Sequence, residues 1–278
     1  MIFARIAALG VFAIVAVYLF ATAPEPLPDG GNAAADKRIS IDRVFEATNT
    51  INHEARRIYT ARVVGGGLQA GLEFAEDWQK QDRQAGPLPA LFLRLVSSEL
   101  AKRSESLSLF LGSDEPINPS NLFSGEQKIR FLQMKADGRP QVFAGPDGLQ
   151  VGMYPDVASA APCVSCHNDH TASPKRNWTL GDVMGATTWL YPAREVSTQE
   201  FQEIVATVYS SVESAWRMYL QKAATFSVPP TIGSDWPKAG SRALPDAETF
   251  MAEVYGSSAP KVMRILNYHL VASVVAEQ

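Results

Sequence analysis

The chain has 278 residues and a mass of 30.2 kDa, enough for one large or two small domains with a hydrophobic core. Apolar residues make up 46% of the sequence and charged residues 19%, which excludes an intrinsically disordered chain. The formal net charge of −4 provides no broad positive field, so nucleic acid is not an expected partner. The cysteines, Cys163 and Cys166, are too few for the disulfide framework of a small secreted domain.

The first 23 residues predict a membrane helix or an export signal. One arginine precedes an unbroken apolar run, Ile6–Phe20, and the 18 residues from Ile6 to Ala23 are just long enough to span hydrocarbon. Ala21-Thr22-Ala23 would suit signal cleavage, but Pro24 is a poor fit after the scissile bond. We therefore favour an uncleaved anchor, with cleavage and release to the periplasm as the alternative. Residues 24–39 are expected to be a linker that holds the exported part on the periplasmic side of a bacterial inner membrane.

The exported part has the pattern of an α+β protein. Helices are predicted where apolar residues recur every three or four positions, over 40–64, 88–111, 126–134, 201–226, 246–255 and 260–275. Strands are predicted over 141–144, 149–154 and 183–191. Ser40 is the expected N-cap of the first helix, Gly65-Gly66-Gly67 its expected end, and Gly145-Pro146-Asp147-Gly148 a hairpin turn. The segment 154–178 is expected to be a loop.

One motif carries chemistry, Cys163-Val164-Ser165-Cys166-His167, which has the C-x-x-C-H spacing that attaches c-type haem. Two sulfurs one turn apart can form thioethers with the haem vinyl groups, and the histidine that follows then becomes the proximal iron ligand. Haem c is attached outside the cytoplasm, so the predicted export supports the same interpretation. The sequence therefore predicts one covalent haem c, held by Cys163 and Cys166 and ligated by His167.

Other chemistries of the two cysteines stay open. A thioredoxin-like redox pair would stand at a helix start after a strand, within a βαβ pattern that this sequence lacks. A zinc site could use Cys163, Cys166 and His170, although no second paired cluster accompanies them. A structural disulfide between Cys163 and Cys166 is the third alternative, and it would involve no other residue.

The sixth iron ligand is open in the sequence. His53 on the first helix lies off the aliphatic stripe and is the distal ligand that we expect, whereas His170 is too near His167 to reach the opposite haem face. Further candidates are Met134, Met153 and His269. An open or water-bound iron is the other option, and it would permit binding of diatomic gases. Arg56 and Arg57 form a basic pair that could meet the haem propionates.

Four segments resemble those of a known family and occur in its order. They are RRIYTARVV at 56–64, PINPSNLFSGEQKIRF at 116–131, CVSCHNDH at 163–170 and the W-x-x-G-D-x-x-G pattern from Trp178 to Gly185. The stretch that contains them resembles the periplasmic c-type haem family with a PAS-like fold, catalogued as a domain of unknown function and often found in receptor histidine kinases and cyclases.

The resemblance implies a PAS-like antiparallel sheet flanked by helices, which holds one haem over residues 40–194 and is followed by a helical extension over 195–278. Some members of that family use a distal cysteine as the sixth ligand. This sequence cannot supply one, because both of its cysteines belong to the motif.

These features predict a membrane-anchored monohaem cytochrome c that transfers single electrons to a redox partner. Receptors of the family continue through a second membrane helix, and the last predicted helix here is too polar for that role, since it contains Arg264, Asn267 and His269. The alternative is a haem-based redox or gas sensor that acts laterally on a membrane signalling protein. An enzyme with an open distal face is the third option, although no hydrolase or kinase motif is present in the sequence.

Overall fold

The computed structural model describes residues 38–238 and 240–276. The predicted anchor at 1–23 and most of the predicted linker lie outside the described residues. Arg38 and Ile39, assigned to the linker from the sequence, belong instead to the first strand. None of the helices in the described part of the chain is long and apolar enough to cross a membrane.

Helices and strands are both well represented, which confirms the α+β class. The α-helices are α1 Ile41–Ile58, α2 Gly65–Gln69, α3 Pro89–Ala101, α4 Gly125–Asp137, α5 Ala161–Asp169, α6 Thr198–Ala223 and α7 Ala247–Ala276. A π-helical segment, Tyr59–Val64, joins α1 to α2. The strands are β1 Arg38–Ser40, β2 Glu73–Ala75, β3 Ala85–Pro87, β4 Ser108–Gly112, β5 Gln141–Ala144, β6 Gln150–Val157, β7 Val183–Tyr191, β8 Glu195–Ser197, β9 Thr231–Gly233 and β10 Ala243–Pro245. The predicted strands, the turn between β5 and β6, and helices α4 and α6 are confirmed to within a few residues.

The central sheet is antiparallel, with strand order β4-β7-β6-β5. Gly152 and Met153 are neighbours on β6, so they point to opposite faces of the sheet. Phe45 of α1 lies against Gly152 on one face. On the other face, Phe131 and Met134 of α4 pack with Met153. The sheet is therefore covered by a helix on each side, as predicted.

The boundary predicted between residues 194 and 195 lies inside a continuous core. β8 pairs antiparallel with β1, and α6 packs against α1 and α3. Trp216 of α6 stacks on Phe250 of α7, with ring centroids 4.5 Å apart, within the main hydrophobic cluster. From Arg38 onward the chain forms one compact unit.

The predicted end of the first helix is wrong. Helical backbone continues through Gly65-Gly66-Gly67 to Gln69, and Gly71, with a φ of 79°, is the residue that turns the chain. Gly67 leaves room for the Phe74 ring. A Cβ atom at residue 67 would lie only 3.0 Å from carbons of that ring. Ser40 precedes α1 as predicted, but its side chain makes no capping hydrogen bond within the described residues.

The helix predicted over 88–111 is a helix followed by a strand. α3 ends at Ala101, and β4 pairs antiparallel with β7. Leu107 and Leu109 are buried while Ser108 between them is exposed, which is the period of a strand. The Oγ of Ser104 accepts a hydrogen bond from the Leu107 amide, 2.9 Å, and fixes the turn between the two elements.

The two short helices predicted at 246–255 and 260–275 form one helix, α7, which contains Pro260. Proline removes one backbone donor from a helix interior. Nearby, the Oγ of Ser258 donates to the carbonyl oxygen of Val254, 2.6 Å, and lies 2.8 Å from the hydroxyl of Tyr209 on α6. Packing against α1 and α6 therefore supports a continuous helix where the local sequence predicts a break.

Candidate functional site

The C-x-x-C-H motif lies on helix α5, where the sequence predicts a loop. Pro162 stands in the first turn of α5, a position where its missing amide hydrogen breaks no helical hydrogen bond, and this is the signal that would have predicted the helix. Residues three and four apart share a helix face, so Cys163, Cys166 and His167 lie on the same side of α5. Two sulfurs and one imidazole are thus available to a single ligand.

An apolar wall borders this face of α5. Its members are Ala158, Trp178 and Met184, with Cys163 and Val164 partly buried against them. The ring of Trp178 meets the ring of His167 edge-on, with centroids 6.2 Å apart. Asn168 fastens the wall to α5, because its side chain both accepts from and donates to the backbone of Trp178. The sulfurs and the imidazole therefore stand beside an apolar surface.

The imidazole of His167 has an unsatisfied nitrogen. Its Nδ1 is buried and has no hydrogen-bond partner among the described residues. Burial lowers the pKa of His167 below its ordinary value, the Asp156 carboxylate opposes this shift, and His170 and Arg56 add to it. The ring is therefore neutral at neutral pH, the form in which histidine binds a metal.

Charged groups lie on two sides of the motif. Arg56 of α1 forms an ion pair with Asp156 near the end of β6. On the other side, Nε2 of His170 lies 3.3 Å from a carboxylate oxygen of Glu76. Both acids act on His167, which places them around one site although they come from distant parts of the sequence.

The two cysteines stand at the start of a helix that follows strand β6, as a thioredoxin-like redox pair would, but the pKa of Cys166 and the arrangement of the metal-ligating residues do not support the redox-pair and zinc hypotheses. Both cysteines are free thiols, and burial raises the pKa of Cys166, with Glu76 and Cys163 adding to the rise, whereas a redox-active pair has a lowered thiol pKa. Within residues 38–238 and 240–276, no group of three or more Cys, His, Asp and Glu side chains is arranged to hold a metal ion. His170 instead accepts at Nδ1 from the Ala172 amide, 3.1 Å.

The donors present on α5 meet the requirements of a covalent haem. Such a group needs two free thiols one turn apart, a neutral imidazole on the same face and an apolar surface beside the macrocycle. Cys163, Cys166 and His167 supply the donors, and Trp178 with Met184 supplies the surface.

The candidates for the sixth ligand lie in different places. His53 is exposed on α1, one helical turn from Arg56, and no described contact links it to α5. Met134 and Met153 are buried together on the α4 side of the sheet, opposite to the face that Asp156 shares with Arg56. The side chain of His269 lies outside the described residues. His53 as the distal ligand thus stays a prediction.

Asn52 stands out only in the structure. It is 1% exposed, and its Oδ1 has no hydrogen-bond partner in the part of the chain that the structure describes. Asn49, one turn earlier, accepts from the indole of Trp189 on β7, and Arg56, one turn later, pairs with Asp156 on β6. Asn52 therefore lies on the sheet-facing side of α1. Nothing in the sequence marks Asn52, because its burial depends on the packing of α1 against the sheet.

The comparison with known families gives one match. The model of a family described as Tll0287-like matches residues 32–192, more than half of the chain. No curated protein and no solved structure matches the chain. The matched region includes the four-stranded sheet and α5 and ends one residue after β7. The PAS-like character of the fold stays a prediction.

Proposed function

The chain belongs to the Tll0287-like family, and we propose that it is a membrane-anchored monohaem c-type cytochrome with a PAS-like sheet. In this proposal Cys163 and Cys166 form the thioethers, His167 is the proximal iron ligand, and the protein transfers single electrons to a redox partner on the periplasmic side of a bacterial inner membrane. One observation carries the proposal. The three donor side chains share one face of α5 beside an apolar wall, with a buried and unpartnered imidazole nitrogen.

The attachment chemistry suits two protonated thiols. Each S–H would add across one vinyl double bond, with the sulfur bonded to the carbon next to the ring and the hydrogen to the terminal carbon, and no oxidant would be consumed. Burial raises the pKa of Cys166, which keeps it as a thiol at neutral pH. When bound, haem c supplies reversible one-electron chemistry at its iron. His167 would donate a nitrogen lone pair to the iron, and Trp178 restrains the orientation of the His167 ring by an edge-on contact.

Mass analysis of the full-length chain, matured in a bacterium with a c-type haem assembly system, tests this function. The expected mass is that of the polypeptide plus one haem, with a c-type pyridine haemochrome spectrum. The double variant Cys163→Ser/Cys166→Ser should lose the covalent haem. Ser165→Ala, an exposed position between the two cysteines, should keep it. A bare polypeptide mass for the wild type would overturn the proposal.

One observation favours a second candidate, a haem-based redox or gas sensor that acts on a membrane signalling partner. The Arg56–Asp156 ion pair joins β6, the strand that leads to the motif, to α1, which begins three residues after the start of the described chain. A change at the haem would thus have a direct route to the helix nearest the predicted anchor. Carbon monoxide binding by the reduced protein would favour the sensor, and low-spin six-coordinate spectra in both oxidation states, unchanged by carbon monoxide, would favour electron transfer.

A further inference from the structure

His167 requires a hydrogen-bond acceptor that its present surroundings do not give it. When one nitrogen of a neutral imidazole binds a metal, the other carries the hydrogen and normally donates to a carboxylate or a carbonyl oxygen. The Nδ1 of His167 is buried without such a partner among the described residues. A haem-ligating His167 would therefore need an acceptor for its Nδ1 hydrogen from a neighbouring part of the fold.

Asp156 is the acid best placed to serve as that acceptor. It lies near the end of β6, two residues before Ala158, which packs in the same cluster as Cys163 and Trp178. The side chains of Asp156 and Arg56 are only 22% and 21% exposed, so solvent screens their charges weakly. The other acid near His167, Glu76, is 54% exposed and lies against His170.

We propose that Asp156 accepts the Nδ1 hydrogen of the haem-ligating His167, and that Arg56 limits how much of the carboxylate charge reaches the imidazole. The inference rests on the proposed haem function and adds a pair of positioning residues to it. An acceptor carboxylate makes the imidazole a stronger electron donor, which stabilises oxidised iron and lowers the reduction potential. Arg56 has the opposite effect, because its guanidinium draws the carboxylate toward itself.

The pair gives predictions of opposite sign. Asp156→Asn should raise the reduction potential of the haem-loaded protein, and Arg56→Gln should lower it. The double variant should lie between the two single variants, and Arg56→Lys should stay near the wild type. Both single variants break the same ion pair between α1 and β6, so a purely structural role would move the potential in the same direction in both, or leave it unchanged. Either of those results would overturn the inference.

Glu76→Gln separates a hydrogen bond from a general charge effect. This variant removes one negative charge near His167, as Asp156→Asn does, but it leaves the proposed acceptor of the Nδ1 hydrogen in place. In protein labelled with ¹⁵N-histidine, the proton on Nδ1 of His167 should give a strongly downfield signal in the wild type and in Glu76→Gln, and this signal should move upfield in Asp156→Asn. An unchanged signal in Asp156→Asn would contradict the proposed bond.

The mass of each variant, measured before its potential, distinguishes the two proposals. A wild type without covalent haem overturns the proposed function. Wild type and variants that carry haem, but share one potential, overturn only the role of Asp156 and Arg56.

Discussion

The ring of Phe45 on α1 fills the space beside Gly152 on β6 that a side chain would need. A Cβ atom at Gly152 would lie 2.5 Å from Cδ2 and 2.7 Å from Cγ of that ring. Phe45 is fully buried in the main core, so its ring has no free volume into which it could move. Strand β6, which contains Asp156, therefore packs this closely against α1 because residue 152 has no side chain.

Gly152→Ala should destabilise the protein by about 1–3 kcal/mol, because the added methyl group forces the Phe45 ring or the strand to shift. The urea midpoint of unfolding measures the change. Gly66→Ala is the matched control. It stands in helical backbone, and no described atom outside its own helix lies within 4 Å of its Cβ position, so the change should stabilise the fold by about 0.5–1 kcal/mol. Equal midpoints for the two variants would contradict this account.

Contacts between distant residues explain which parts of the fold the sequence could not reveal. The hairpin between β5 and β6 was predictable, because a turn of glycine and proline between two apolar runs is a strong local signal. The helical backbone at Gly67 lies against the Phe74 ring, and α7 continues across Pro260 while it packs against α1 and α6. Neither contact is visible in a local pattern, and tertiary packing overrides local preference in both cases.

The candidate site divides in the same way. Cys163, Cys166 and His167 could be named from the sequence, because their chemistry depends on close spacing along the chain. Arg56 and Asp156 are 100 residues apart in sequence, so only the fold brings them together. The spacing of a single sequence contains no information about such a pair.

Asn168→Ala should loosen the attachment of the apolar wall to α5. In the wild type the Trp178 amide donates to Oδ1 of Asn168, 2.8 Å, and Nδ2 of Asn168 donates to the carbonyl oxygen of Trp178, 3.0 Å. Loss of both bonds at a half-buried position should cost about 1–3 kcal/mol of unfolding free energy. Asn118→Ala, which removes an acceptor for the Ser120 amide in an exposed turn, should cost less than about 1 kcal/mol. Urea titration of both variants measures the difference, and similar losses would show that the Asn168 bonds have no special weight.

Glu54 should make the fold sensitive to acid. Its carboxylate is buried on α1, where burial alone would raise its pKa, but hydrogen bonds from Lys261 of α7 and from Arg57 lower the pKa below its ordinary value. A carboxyl group whose pKa is lower in the folded state stabilises the fold above its unfolded pKa of about 4.3, and this contribution is lost as the pH falls through the folded-state value. The free energy of unfolding should therefore decrease below about pH 4.

Glu54→Gln tests the origin of this acid sensitivity. At pH 7 the variant should lose about 1–3 kcal/mol, since charge-assisted bonds to Lys261 and Arg57 are weakened. Below pH 4 its stability should vary less with pH than that of the wild type. Glu213→Gln, which removes an exposed pair with Arg217 on α6, should change stability by less than about 1 kcal/mol at either pH. Parallel pH profiles for the wild type and Glu54→Gln would rule out Glu54 as the source.

His53→Ala tests the expected distal ligand. Although the side chain of His53 is exposed on α1, neighbouring atoms remove part of its hydration and lower its pKa; Glu54 opposes the shift, and Arg56 and Lys261 add to it, so the imidazole is neutral and able to bind iron at neutral pH. If His53 is the sixth ligand, its loss should convert a low-spin absorption spectrum into a high-spin one and open the iron to carbon monoxide. His170→Ala is the matched control, because His170 lies at the end of α5 beside Glu76 and its removal should leave the spectrum unchanged. An unchanged spectrum in His53→Ala would exclude His53 as the sixth ligand.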